Sequence, residues 1–241
     1  MLLAPTLAAT TLALGCVQLT EVRTTPTEVD WTGWVYGDLP GDDAPLLEAG
    51  TLEVVDLDDI TIATGTMLED EPGYWQVTVP VDVDVAVRID GGEQAPTVWR
   101  GRTPSGRAYW LSGALFALAD PTQAEMFDSL EGWQGMSPQD LADGEVAHLW
   151  GTPWDREEWA GATVEVEHSG GVGQLALLAV DTDGALIDAG TGPVDLFLAP
   201  DLAPGPVTLR VTSSDGRTAQ TTWPARGGDL LSAFYFALPE G

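Results

Sequence analysis

Apolar residues fall at every second position in several short stretches of the chain, among them Tyr74-Trp75-Gln76-Val77-Thr78-Val79, Val85-Ala86-Val87-Arg88-Ile89 and Thr163-Val164-Glu165-Val166-Glu167. A period of two sends alternate side chains to opposite faces of a strand, so each stretch predicts a strand with one buried face. Turn signals separate the stretches at intervals of roughly ten residues. They include Pro40-Gly41-Asp42, Glu71-Pro72-Gly73, Asp90-Gly91-Gly92, Asp183-Gly184, Pro204-Gly205-Pro206 and Ser214-Asp215-Gly216. Many short strands with this punctuation predict an all-β chain of the antiparallel β-sandwich type.

The pattern also repeats. Val85-Ala86-Val87-Arg88-Ile89 before Asp90-Gly91 returns as Val207-Thr208-Leu209-Arg210-Val211 before Asp215-Gly216. Ala49-Gly50-Thr51-Leu52-Glu53-Val54 is answered by Ala160-Gly161-Ala162-Thr163-Val164-Glu165-Val166, and Leu111 to Leu118 by Leu231 to Leu238. Blocks in one order, about 110 to 122 residues apart, predict two tandem copies of one β-sandwich domain, residues 29–118 and 144–241. Between them, Asp120-Pro121 begins and Gly132 ends a stretch in which Met126, Phe127, Leu130 and Trp133 recur at helical spacing. Residues 119–143 are therefore expected to form a short helical linker packed on one of the sandwiches.

Composition narrows the function. A chain of 241 residues that is 44% hydrophobic and holds ten tryptophans can build real cores. Its 38 acidic residues face nine arginines and no lysine, for a formal charge of −29. That surface repels phosphate backbones, which argues against a nucleic-acid partner. Asparagine is absent as well, and the joint loss of these two A-rich-codon residues reads as the mark of a GC-rich genome, so the acidity is in part compositional.

The amino end carries a different signal. Residues 1–15, MLLAPTLAATTLALG, are apolar or small and have the size of a secretory signal rather than of a membrane-spanning helix. The lone cysteine follows at once. Ala13-Leu14-Gly15-Cys16 resembles the lipobox of bacterial lipoproteins, with Ala13 where the family pattern carries leucine. The resemblance implies a signal peptide over 1–15, a diacylglyceryl group on the Cys16 sulfur and anchoring of the mature chain in a membrane. Val17 rather than aspartate after the cysteine implies, by the enterobacterial rule, export to the outer membrane or cell surface. Residues 16–28 are then the lipidated cysteine and a Thr-rich tether broken by Pro26.

A second resemblance covers most of both copies. Leu46-Leu47-Glu48-Ala49-Gly50-Thr51-Leu52-Glu53-Val54 in the first, and Trp159 to Val166, Asp181-Thr182-Asp183-Gly184, Val194 to Pro200 and Val207-Thr208-Leu209 in the second, look like carboxypeptidase regulatory-like domains. Those domains share the transthyretin-like sandwich, which the resemblance implies here.

Candidate chemistry is sparse. No nucleophile elbow, zinc-protease helix or phosphate loop occurs, so no enzyme and no cofactor is expected. The two histidines, His148 and His168, could ligate a metal with Glu145 or Glu167, but strand histidines are more often structural. Asp181 and Asp183 offer oxygen ligands that suit calcium, on a segment that reads first as a tight turn. Trp150, Trp154 and Trp159, interleaved with acidic residues and Arg156, are the candidates for an exposed aromatic platform. The sequence thus predicts a non-catalytic, lipid-anchored envelope protein acting as a structural or protein-interaction module. Its alternative is a surface glycan-binding protein that uses those tryptophans.

Overall fold

The computed structural model describes residues 27–36, 46–47, 49–91, 96–103, 115–116, 144–183 and 186–239. The expected signal segment with Cys16, and the helix over 119–143, lie outside them. Among the described residues the fold is all-β, and no helix is long and apolar enough to cross a membrane.

The described strands before residue 117 are β1 (Glu28–Tyr36), β2 (Thr51–Val55), β3 (Thr61–Met67), β4 (Tyr74–Pro80), β5 (Asp84–Asp90), β6 (Thr97–Arg102) and β7 (Leu115–Phe116). The second half contributes β8 (Ala147–Pro153), β9 (Thr163–His168), β10 (Gly171–Val172), β11 (Ala176–Val180), β12 (Leu186–Asp188), β13 (Leu196–Leu202), β14 (Gly205–Thr212), β15 (Thr218–Ala225) and β16 (Leu230–Phe236). They form two sheets, a twelve-stranded one in the order β12-β11-β13-β8-β16-β6-β5-β2-β3-β4-β1-β7 and a four-stranded one, β10-β9-β14-β15.

The two halves use the same pairings. β2-β5-β6 and β9-β14-β15 are antiparallel triplets, and β1 with β7, like β8 with β16, is a parallel pair. The large sheet turns at β3, whose middle pairs with β2 (Leu52 opposite Gly65) and whose end pairs with β4 (Met67 opposite Trp75). In the second half that handover is cut in two: β10 pairs with β9, and β11 with β13.

Alternation dictates the cores. Trp75, Val77 and Val79 of β4 and Val85, Val87 and Ile89 of β5 point into a first core with Trp31 and Leu52. Val207, Leu209 and Val211 of β14 meet Leu149, Phe197 and Leu231 of the large sheet in a second. Three residues of the first half, Val55, Ala86 and Val98, belong to that second core. β5 is therefore buried on both faces, with its odd positions in one core and Ala86 in the other.

β6 and β16 carry the large sheet across the chain. They run parallel, with Leu231 opposite Val98, and the Leu230 amide donates to the Pro96 carbonyl at 2.7 Å. A separation of over a hundred residues between paired strands is invisible to local periodicity. Within the second core, Phe197 is fully buried and stacks on Trp159 at 4.9 Å between ring centroids. Phe197→Ala should cost about 3–5 kcal/mol, read as a lower denaturation midpoint in urea. A cost under about 1 kcal/mol would mean that this core is not packed as described.

Candidate functional site

A network of buried and half-buried charges lies where the two halves meet. Arg88 lies at a position of β5 that faces the second half, and it is 5% exposed. Its Nε and Nη2 donate to the two carboxylate oxygens of Asp229 at 3.3 and 2.9 Å, Nη1 donates to Asp59 at 2.9 Å, and Nη2 also reaches the Pro224 carbonyl. Asp229, itself 2% exposed, accepts the Arg226 amide at 2.7 Å. The Arg226 side chain returns to the first half, with Nε on Asp59 at 2.7 Å and Nη1 on Glu53 at 3.4 Å. Asp59 is thus held by two guanidinium groups, one from each half.

Local structure delivers Asp59 to this place. Asp56 accepts the amides of Asp58 and Ile60, both at 2.9 Å, and its own amide donates to the Ile60 carbonyl, closing a tight loop between β2 and β3. Asp59 adopts a left-handed backbone, φ 63°, a conformation that aspartate tolerates better than most residues. The same loop leaves Leu57 and Ile60 exposed. Beside it opens a cleft of about 430 Å³ lined by Leu57, Asp58, Asp59, Gly205, Pro206 and Pro224.

The electrostatics divide between the two acids. Burial raises the pKa of the Asp59 carboxyl, but the hydrogen bonds and charges of Arg226 and Arg88 outweigh it and leave the group below the ordinary value of 3.8. At the more deeply buried Asp229, desolvation wins and pushes the carboxyl up, with the bonds from Arg88 offsetting only part of it. The signs therefore oppose. Asp59 contributes stability that is present above pH 3.8 and lost as the pH falls through its lowered value, whereas the contribution of Asp229 weakens as the pH rises through its raised one.

The residues singled out from sequence occupy quite different places. The aromatic platform is corrected: Trp150 and Trp159 are each 1% exposed, and Trp154 is 69% exposed. Trp150 is buried because β8 lies inside the large sheet, between β13 and β16, with both faces covered. Trp159 turns inward at the end of the loop after β8, where Phe197 and Phe236 receive its ring. Only Trp154 of the three faces solvent. Asp181 and Asp183 lie in the turn after β11, where Asp181 accepts the Asp183 amide at 2.9 Å. Among the described residues no three His, Cys, Asp or Glu side chains are grouped to hold a metal. His148 is on the large sheet and His168 on the small one. His148 is buried, accepts the Asp201 amide and has its pKa lowered by desolvation; His168 accepts the Ala203 amide at 2.9 Å.

Sequence reasoning missed Arg88, Asp59, Asp229 and Arg226 as a group. The available signal was an arginine inside an otherwise apolar strand, Val85 to Ile89.

No family model matches the chain, and no curated protein matches it. Among solved structures, the TIE protein of Bacillus anthracis aligns with 89% of this chain at 8% identity and a TM-score of 0.27. This chain spans 35% of that one. A family 26 carbohydrate-binding module from Eubacterium rectale Amy13K, solved with maltoheptaose, aligns over 87% of this chain and 93% of its own at 12% identity, TM-score 0.25. BcpA, the major pilin subunit of Bacillus cereus, aligns over 88% of this chain and 69% of its own at 8% identity, TM-score 0.19. Likenesses this distant carry no functional argument, and function is argued below from the chain's own residues.

Removing one partner of the buried network strands the other charge. Arg88→Ala should therefore destabilise the protein by about 3–5 kcal/mol, measured by urea denaturation at pH 7. Asp59→Asn should also be less stable than wild type at pH 7, and the gap should close as the pH is taken below 3.8. A gap that stays constant down to pH 2 would contradict the ionised pairing of Asp59.

Proposed function

We propose that this chain is a non-catalytic, lipid-anchored protein of the cell envelope, placed at the outer membrane or cell surface, that acts as a structural or protein-interaction module. It consists of two tandem copies of one sandwich, resembling carboxypeptidase regulatory-like domains and joined by a short helical linker. The matching order of strand pairings in the two halves supports the duplication. The anchor rests on Ala13-Leu14-Gly15-Cys16.

The observation that carries the reading is the use made of the charges taken out of water at the seam. In enzymes such groups gather in a cleft around a reacting atom. Here Arg88, Asp59, Asp229 and Arg226 are consumed in tying one half to the other. A protein whose scarce cations fix the angle between its halves is built to hold a shape and present surfaces at a set spacing.

One specific observation favours the second reading, a glycan-binding protein: Trp154 offers an indole face to solvent. Trp154→Ala separates the two. A structural module should lose no more than about 0.5 kcal/mol of stability and keep every interaction, whereas a glycan binder should lose its retention on a polysaccharide column.

The anchor is tested by intact-mass spectrometry on protein extracted from the membrane in detergent. The expected product begins at Cys16 and carries acyl chains, and Cys16→Ser should yield an unacylated chain in the soluble fraction. An unmodified wild-type chain found in the soluble fraction would overturn the lipoprotein reading.

A further inference from the structure

A second cavity at the same seam has a chemistry that the ionic network does not use. It measures about 250 Å³ and opens where β15, the edge strand of the small sheet, crosses β6 and β16. Arg100, Gln220, Thr221, Trp223, Ser232 and Phe236 are among the residues lining it. One water molecule claims about 30 Å³, so the space suits a small organic molecule.

Arg100 sets the character of the cavity. It is half-buried, and two of its arms are spent on backbone: Nε donates to the Thr222 carbonyl at 2.8 Å and Nη1 to the Val85 carbonyl at 3.1 Å. Nη2 makes no hydrogen bond to a described residue, and no described carboxylate lies within ion-pair distance of this guanidinium. The acid whose charge reaches it is Asp84, exposed and already beside Arg102 at 3.6 Å. Burial accordingly pushes the Arg100 pKa down, the sign of a desolvated cation without a close counterion. Among the described arginines, Arg100 and Arg210 make no ion pair, and Arg210 has a side-chain acceptor in Gln220 while the bonds of Arg100 go to backbone.

The surrounding wall reinforces the point. Trp223 is 1% exposed, so it backs the cavity and offers a ligand almost no surface. The Gln220 carbonyl, the one strong side-chain acceptor other than hydroxyl oxygens among the six residues named, is occupied by the Arg210 guanidinium at 3.1 and 3.2 Å. The wall therefore leaves Arg100 Nη2 without an acceptor of its own, and the group that complements it is an acceptor with negative charge. Phe236, half-buried, adds apolar surface for the body that bears that group.

We infer that this seam cavity is a binding site for a small organic carboxylate, whose carboxylate group is held by Arg100 and whose body rests against Phe236. The site is independent of the glycan reading, since Trp154 takes no part in it. It adds a ligand to the structural module and does not depend on the anchor.

The test uses isothermal titration of the folded protein with two acids, benzoate and glucuronate, and their uncharged counterparts, benzyl alcohol and glucose. At least one acid should bind with millimolar or better affinity, at least tenfold more tightly than its neutral partner. Arg100→Gln should weaken that acid tenfold or more and leave the neutral compound unchanged. Because Arg100 also bonds to backbone, Arg100→Gln is first compared with wild type by circular dichroism. A second variant, Thr221→Asp, keeps Arg100 and supplies the cavity with its own carboxylate, so it too should abolish binding of the acid. Failure of both acids to bind, equal binding of acid and neutral partner, or unchanged binding in a folded Arg100→Gln and in Thr221→Asp would overturn the assignment.

Discussion

One buried guanidinium governs the arrangement of the rest. Arg88 stands in the middle of a strand whose neighbours are apolar, and a cation there is tolerable only if its hydrogen bonds are completed by acids taken out of water with it. Asp229, at the entrance to β16, and Asp59, from the loop between β2 and β3, supply them. Each acid sits on an element that must be placed to within a hydrogen-bond length, so satisfying one arginine fixes β16 against β6 and the β2–β3 loop against the second half. Arg226 closes the circuit by bonding Asp59 from the other side.

This constraint and the sheet act together. β16 joins β6 in parallel, and Val55, Ala86 and Val98 enter the core of the second half. Apolar burial provides the attraction at the seam, and the directional ion pairs fix its register, which apolar contact alone sets only loosely. The consequence is a fixed spacing between exposed features such as Trp154 and the Leu57–Ile60 loop. A pair of independent beads on a string would not hold it.

Much of the local structure was legible in sequence. The alternation in Tyr74 to Val79 placed the correct residues inside, whereas Val85 to Ile89, read in the same way as a strand with one buried face, is buried on both. The limits appear where the same pattern has two outcomes. Arg88 and Arg210 hold matching places in the two repeated stretches, yet Arg88 is buried at the seam and Arg210 bonds to Gln220 on a more open face. Nothing in five residues of sequence says which copy will be covered by another part of the chain. Trp150, Trp154 and Trp159 make the same point: spacing and polar neighbours suggested one platform, but Trp150 is buried because β8 lies inside a sheet whose adjacent strands come from distant parts of the chain, and Trp159 because Phe197 and Phe236 receive its ring. Parallel pairing between residues near 98 and residues near 231 is a non-local fact that periodicity cannot encode.

The claim that the seam makes one body of two halves is tested most directly by hydrogen exchange followed residue by residue through a urea titration. The amides of β4, deep in the first half, and those of β14, deep in the second, are the ones to compare. The account predicts that both sets lose protection in a single transition with one midpoint and one slope. Two separated transitions, with β4 opening while β14 remains protected or the reverse, would show that the halves fold independently and would contradict it.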